Sequence, residues 1–201
     1  YTDTIGKELF IDHLKLPYTS VKVELDHMNG LSDELWALAK VYAYQAQKEP
    51  FIHADNDIFI WGQLPERIHK SEILCQSFEA DSNGKLHENV LKDTSEKCRS
   101  IPEVIINSYK KKQFDSSNAG IIGGHNLDFI QDFCKRSIAF VDANKENSFH
   151  SFFLIFEQYF FHVLAKQQKQ KITYLIPPKK GKTHVHSITN FAGVPYHSKY
   201  L

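Results

Sequence analysis

Asp55-Asn56-Asp57 interrupts an apolar run, with Phe51 to Ala54 before it and Ile58 to Trp61 after it. Two acidic side chains set between core strands are costly to bury unless something positive meets them. At i and i+2 of an extended backbone both carboxylates project to the same side. A divalent cation is the simplest partner that makes such a pair favourable; a turn in which Asp and Asn cap backbone amides is the alternative. Near the other end of the chain, Thr183-His184-Val185-His186-Ser187 reads as extended, so both imidazoles share one face. Such a pair either closes a metal site or is structural. Glu157-Gln158 breaks a stretch otherwise filled by Phe152, Phe153, Phe156, Tyr159 and Phe160. A glutamate among so many aromatics either faces water or has a polar task. Between Phe114 and Asn126, small residues and the pair Gly123-Gly124 let backbone approach a ligand closely, or let a strand pack tightly on a helix. The Gly-x-Gly-x-x-Gly spacing of a dinucleotide site is absent. Lys110-Lys111-Lys112 reads as a solvated helix end, with phosphate contact as the lesser alternative.

The elements that must position these residues follow from periodicity. Ile5, Leu9, Phe10 and Leu14 predict a helix stopped by Pro17. Val21, Val23 and Leu25 alternate with Lys22 and Glu24, which predicts a strand with one wet face. Ser32 suits an N-cap, and Leu35, Leu38, Ala39 and Tyr42 form the apolar stripe of the helix behind it. Strand, helix and then the strand at 51–54 predict a βαβ unit with a parallel pair. Asp55 to Asp57 then lie at the carboxyl end of a strand, where open α/β sheets hold ligands. Further on, the expected order is a strand at 72–78, a polar insertion or mobile loop at 81–100, a helix at 101–112, a helix at 127–140, a long apolar helix at 149–168 and a strand at 172–176. Asn126 is the expected cap of the 127–140 helix.

Composition bounds the function. The 201 residues are enough for one α/β domain with a sizeable core. Lys plus Arg and Asp plus Glu number 24 each, which argues against a nucleic-acid binder that relies on bulk positive field. The three cysteines, Cys75, Cys98 and Cys134, have no zinc or redox spacing and read as free thiols in a reducing compartment. No apolar run reaches membrane-spanning length. A cytoplasmic protein is therefore expected, with peripheral membrane attachment left open.

Taken in order, these pieces resemble the glycosyltransferases of the GT-A fold, nearest to the bacterial glycosyltransferase-like and glycogenin/galactosyltransferase-like branches. The match is carried by the helix leading into the strand with Asp55-Asn56-Asp57, by Asn118-Ala119-Gly120 with the following Gly123-Gly124, by Glu157-Gln158, and by a terminal His186 with Lys199 beyond it. The resemblance implies an α/β, Rossmann-like GT-A domain over residues 1–201, a mixed sheet flanked by helices, although nothing before residue 20 looks like the nucleotide-binding strand that opens the family. It implies that Asp55, Asp57 and His186 hold Mn²⁺ or Mg²⁺ on the diphosphate of a nucleotide-sugar. Asn56, Asn118, Gly120, Gly123 and Gly124 then line the donor pocket, Lys199 contacts phosphate, and Glu157 with Gln158 acts at the sugar. The family more often has Asp-Gln where this chain has Glu157-Gln158, and its lysine follows the histidine more closely.

The chemistry implied is transfer of a sugar from a nucleotide-diphosphate donor to a saccharide or other acceptor, as in polysaccharide biosynthesis. A cation at the Asp pair stabilises negative charge on the leaving oxygen, and an ionised Glu157 stabilises positive charge developing on the sugar. The glycogenin-like branch points towards retention of configuration. Two rivals stand beside it: a non-catalytic GT-A-like domain that binds a sugar or a partner, and a haloacid-dehalogenase-type phosphohydrolase with Asp55 as nucleophile and Asp57 as acid/base.

Overall fold

The computed structural model describes residues 1–60, 62–80, 86–178, 187–189 and 195–197. Its helices are α1 (Thr4–Lys7), which runs on into a π-wound segment (Glu8–His13), α2 (Leu38–Gln45), α3 (Glu66–His69), α4 (Leu86–Lys97), α5 (Glu103–Lys110), α6 (Leu127–Asp142) and α7 (Phe160–Gln167). A second π-wound segment, Leu154–Tyr159, leads directly into α7. The strands are β1 (Phe51–Ala54), β2 (Ile73–Glu79), β3 (Ser116–Gly124) and β4 (Ile172–Ile176), with a separate small pair β5 (Ser187–Thr189) and β6 (Pro195–His197). Two of the caps behave as their residue types require. The Ser32 hydroxyl accepts from the Glu34 N–H, and the Asn126 side chain accepts from the Phe129 N–H at the start of α6.

The main sheet has the order β1-β3-β2-β4. It is mixed: β3 runs antiparallel to both β1 and β2, while β2 and β4 are parallel. The carboxyl ends of β1, β2 and β4 therefore meet the start of β3 along one side of the sheet. Two expectations change here. Residues 20–25 form no strand; Val23 makes only an isolated bridge to Thr2, and Val21 and Val23 stay exposed, so the alternating pattern finds neither a partner strand nor a core to face. The βαβ unit therefore does not form, and β1 pairs antiparallel with β3 instead. Residues 86–97, expected within a loop, form α4, whose Val90 and Leu91 join the main core while Thr94 bonds back to the Val90 carbonyl. The many polar residues of that stretch lie on its outer face, which hides a short apolar stripe from a composition-based reading.

Most of the core lies between the sheet and the layer of α2, α4, α5, α6 and α7. Phe133, Phe152, Phe156, Phe160 and Phe161 are almost wholly buried, and their rings meet edge to face, with Phe133 and Phe161 centroids 4.9 Å apart. Each buried phenylalanine contributes about 1.5–3 kcal/mol from its removal from water. The opposite face of the sheet carries a smaller cluster in which Ile68 of α3 packs with Leu74, Ile121 and Leu175. Arg67 of α3 donates to the carbonyls of Tyr174 and Leu175, tying that thin layer to β4. The helix expected at the amino terminus forms, but Ile5, Leu9 and Leu14 remain exposed.

Gly123 sits where β3 is flanked by both β1 and β2, with φ at +152° and a Cβ position that would collide with the Phe51 carbonyl. Only glycine meets both demands. Gly123→Ala is expected to cost about 2 kcal/mol or more, read as a lower denaturant midpoint with an unchanged slope. A midpoint equal to wild type would mean that β1 can move aside.

Candidate functional site

The site begins with α2. Trp36, Lys40 and Tyr44 are spaced by four and so lie along one helical face. Because α2 returns towards the start of β1, Tyr44 stacks against Phe51 while Lys40, one turn earlier, reaches the far end of that strand. There the Lys40 ammonium lies 3.1 and 3.2 Å from the two oxygens of Asp55 and 2.7 Å from Glu157 Oε1. His53 Nε2 donates to Asp55 Oδ1 at 2.9 Å, and the Tyr44 hydroxyl donates to Glu157 Oε1 at 3.3 Å. Glu157 comes from the π-wound segment ahead of α7, is completely buried, and leaves its Oε2 without a partner among the described residues. Insertions of this kind are concentrated at functional sites.

Charge and burial compete in this group. Burial drives the Glu157 carboxyl up to about 7, against the pull of Lys40 and the Tyr44 hydrogen bond. Burial also works against the charge on Lys40, yet Glu157 and Asp55 outweigh it and raise its pKa. Asp55 too is disfavoured by burial, but the His53 hydrogen bond and the Lys40 charge hold it below the ordinary carboxylate range. Tyr44, buried beside both carboxylates, is pushed well above its usual value and stays a donor.

The Asp55-Asn56-Asp57 segment is a turn closed by the Ile58 N–H on the Asp55 carbonyl. Asp57 and Asn56 are exposed, and no ion pair or side-chain hydrogen bond reaches Asp57 among the described residues. The expectation of two carboxylates lying between core strands is thereby corrected: Phe59 and Ile60 beyond the turn are exposed, and only Ile58 packs, on the smaller cluster. The Asp55 N–H donates to the Gly120 carbonyl, which joins the turn to the Asn118-Ala119-Gly120 stretch. Asn118 accepts from the Gly120 N–H through its Oδ1 and donates to Glu79 Oε1 at 2.9 Å. A side chain at 120 would strike Gln76, whose buried Oε1 has no partner among the described residues.

Asp55, Asn56, Asp57, Asn118, Gly120 and Glu157 are thus brought to one end of the sheet. Gly123 and Gly124 are not: they pair with Ile52 and Phe51, three and four residues back along β1, or about 10–13 Å away. Gln158 is half-buried and takes no part in the Lys40 network. His184, His186 and Lys199 lie outside the described residues. Among those described, no group of three or more His, Cys, Asp or Glu is arranged to hold a metal ion. No helix among them is long and apolar enough to cross a membrane. All three cysteines are free and buried.

Lys40, Tyr44 and His53 escaped the sequence reading, because Lys40 and Tyr44 lie away from the stripe read from Leu35, Leu38, Ala39 and Tyr42; the residues of α2 that are fully buried are Leu38, Val41 and Tyr44. A cleft of about 370 Å³ runs beside them, lined also by Phe51, Leu25 and Tyr1; its volume falls in the range of small-molecule sites. Beneath the sheet, a second polar group joins Ser117 to His162 and to Tyr174, each at 2.9 Å. Burial drives His162 down to about 4, aided by Lys166 and His87, so it is neutral at physiological pH. With Ser117 itself buried, this group ties β3 to β4 and α7.

Among known proteins, the model of a family of unknown function matches residues 1–201. No curated protein and no solved structure matches the chain.

The raised Glu157 carboxyl has a consequence for folding. Its proton is held more tightly in the folded than in the unfolded chain, so the associated stability is complete below the ordinary carboxylate range and is lost as pH rises through about 7. Between pH 4.5 and 8, wild type is expected to lose about 3 kcal/mol relative to Glu157→Gln. Parallel unfolding curves for the two proteins across that window would show that Glu157 is ionised throughout.

Proposed function

We propose that this chain, which belongs to the DUF6734 family, is a metal-dependent glycosyltransferase that moves a sugar from a nucleotide-diphosphate donor to a saccharide acceptor on a GT-A-like sheet. The observation that carries the reading is the Lys40 bridge. It couples a wholly buried Glu157 to Asp55 at the head of an exposed Asp-Asn-Asp turn, beside the Asn118–Gly120 stretch. Parts of three of the four motifs behind the resemblance, Asp55 to Asp57, Asn118 to Gly120 and Glu157, lie at one end of the sheet, while Gly123 and Gly124 do not.

The donor set suits a hard divalent cation. Asp57 is exposed, and among the described residues Asp55 Oδ2 accepts only from Lys40, which leaves a lone pair for a cation. Asp57 and Asp55 Oδ2 would hold Mn²⁺ or Mg²⁺, with His186 as the imidazole implied by the resemblance. When bound, the cation supplies charge neutralisation for the diphosphate and Lewis-acid stabilisation of the leaving oxygen. The remaining work falls to the chain itself. Lys40 holds Asp55 ionised and oriented at the turn. Glu157, wholly buried, acts through its negative charge on the positive charge developing at the anomeric carbon and not by contact with the sugar. Tyr44 and Lys40 together keep that carboxylate in place. In the reaction, the bond from anomeric carbon to diphosphate oxygen breaks and one to the acceptor oxygen forms, with the acceptor hydroxyl proton leaving to the diphosphate or a base.

One observation favours a second reading, a GT-A-like domain that binds sugar without transferring it: Lys40 already pairs with Asp55, so that carboxylate is held in place without a metal. The two readings separate on Asp57. With Mn²⁺ present, UDP and other nucleoside diphosphates are expected to raise the Tm of wild type, and Asp57→Asn to lose that shift while melting at the wild-type temperature in their absence. An undiminished shift in Asp57→Asn would remove the turn from the metal site.

Glu157→Gln keeps the shape and most hydrogen bonds but removes the charge. Nucleotide affinity should stay near wild type, while transfer, or slow hydrolysis of the nucleotide-sugar, should fall by on the order of 10² or more. Equal turnover would make Glu157 a purely structural carboxylate.

A further inference from the structure

Trp36 is the least expected side chain near the site. Tryptophan is on average highly buried, yet Trp36 is 52% exposed. Its position is not accidental to the fold. It lies one turn before Lys40, just ahead of α2, and since Lys40 reaches the end of β1, Trp36 stands beyond that end, beside the ammonium that pairs with Asp55 and Glu157. Two contacts hold the indole there: the Lys40 ammonium lies 4.9 Å from its ring centroid, and the Phe153 ring packs against it at 5.1 Å and 53°. Phe153 itself belongs to the turn leading into the π-wound segment that carries Glu157. The indole is thus braced by the same two elements that supply the buried carboxylate and its ammonium, while half of its surface stays open to water.

A braced, open aromatic surface beside hydrogen-bonding charges matches the chemistry of a pyranose ring. The C–H faces of such a ring are apolar and slightly electropositive, which suits the negative face of an indole, and its hydroxyls need donors and acceptors at the ring edge. A peptide or lipid partner would call for a wider apolar surface, whereas here the Lys40 ammonium lies against the indole itself. We propose that Trp36, supported by Phe153, is the platform on which the acceptor saccharide stacks, setting its terminal sugar beside Lys40 and Asp55, the partly open charges at the head of the turn. This inference rests on the glycosyltransferase reading for the identity of its ligand as the acceptor.

The test uses the full chain with a panel of oligosaccharides ending in glucose, galactose, N-acetylglucosamine or mannose, at millimolar concentration. Binding is followed by saturation-transfer NMR and by indole emission in wild type, Trp36→Tyr and Trp36→Ala. At least one member of the panel is expected to bind wild type saturably. Trp36→Tyr should keep that binding within a few-fold, and Trp36→Ala should weaken it tenfold or more. The Tm shift given by UDP with Mn²⁺ should be the same in all three proteins, since a merely structural loss would lower it as well. Where transfer is measurable, Trp36→Ala should raise the acceptor KM more than it lowers kcat. Saccharide binding that is undiminished in Trp36→Ala, or the absence of binding by every member of the panel, would overturn the proposal. Loss of saccharide binding in Trp36→Ala, together with no response of wild type to any nucleotide, would support the platform and overturn the transferase reading instead.

Discussion

Everything at the carboxyl end of the sheet depends on one ammonium group. Glu157 is wholly buried in a wall built largely of phenylalanine, where an unpaired carboxylate costs several kcal/mol. Lys40 Nζ offsets that cost at 2.7 Å and at the same time grips both oxygens of Asp55. Removing one partner from such a buried pair typically costs 3–5 kcal/mol, because the other charge stays behind. Helix α2, the π-wound segment and the end of β1 are therefore fastened to one another by charge as well as by packing. The geometry of the turn after β1 is in this way coupled to the aromatic core below it.

The polar groups around that fastening fall into two kinds. Ser117 joins His162 Nδ1 to the Tyr174 hydroxyl inside the fold, leaving His162 Nε2 without a partner among the described residues, and the neutral imidazole adds no charge to be balanced. Asn118 spends its side chain on Gly120 and Glu79, which fixes the irregular part of β3 where its register with β2 shifts. In contrast, Asp57, Glu157 Oε2 and Gln76 Oε1 keep unused hydrogen-bonding capacity at the same end of the sheet. A buried polar atom without a protein partner meets water, an ion or a ligand, or stores strain.

Local patterns carried much of this into the sequence. The strand at 172–176, the cap at Asn126 and the strands through 51–54 and 72–78 all rest on short-range signals, namely apolar runs bounded by turn residues. The failures were of longer range. Residues 20–25 alternate as a strand should, but a strand is made by a neighbour, and no part of the main sheet reaches them. The orientation of β1 depends on pairing with β3, some seventy residues away, which periodicity does not report. Glu157 stood out by its aromatic surroundings, but its burial could be resolved only with Lys40 in view, and Lys40 alone looks like any lysine on a helix. The paired glycines invited a ligand reading and turned out to be where β3 is wedged against the carbonyls of Phe51 and Glu72.

The π-wound segment from Leu154 to Tyr159 gives this region an unusual kind of vulnerability. A regular helix advances each side chain by about 100°, and a π-turn absorbs one extra residue without moving the flanking turns. The placement of Glu157 is thus a matter of phase, set by how many residues lie between Phe153 and Phe160 and not only by which they are. Most substitutions within the segment leave that count intact. Loss of a single residue would let it relax into an ordinary helix, swing the carboxylate away from Lys40 and present an aromatic ring in its place. A substitution along the segment other than at Glu157 therefore changes packing alone, whereas any change in its length changes which side chain meets Lys40.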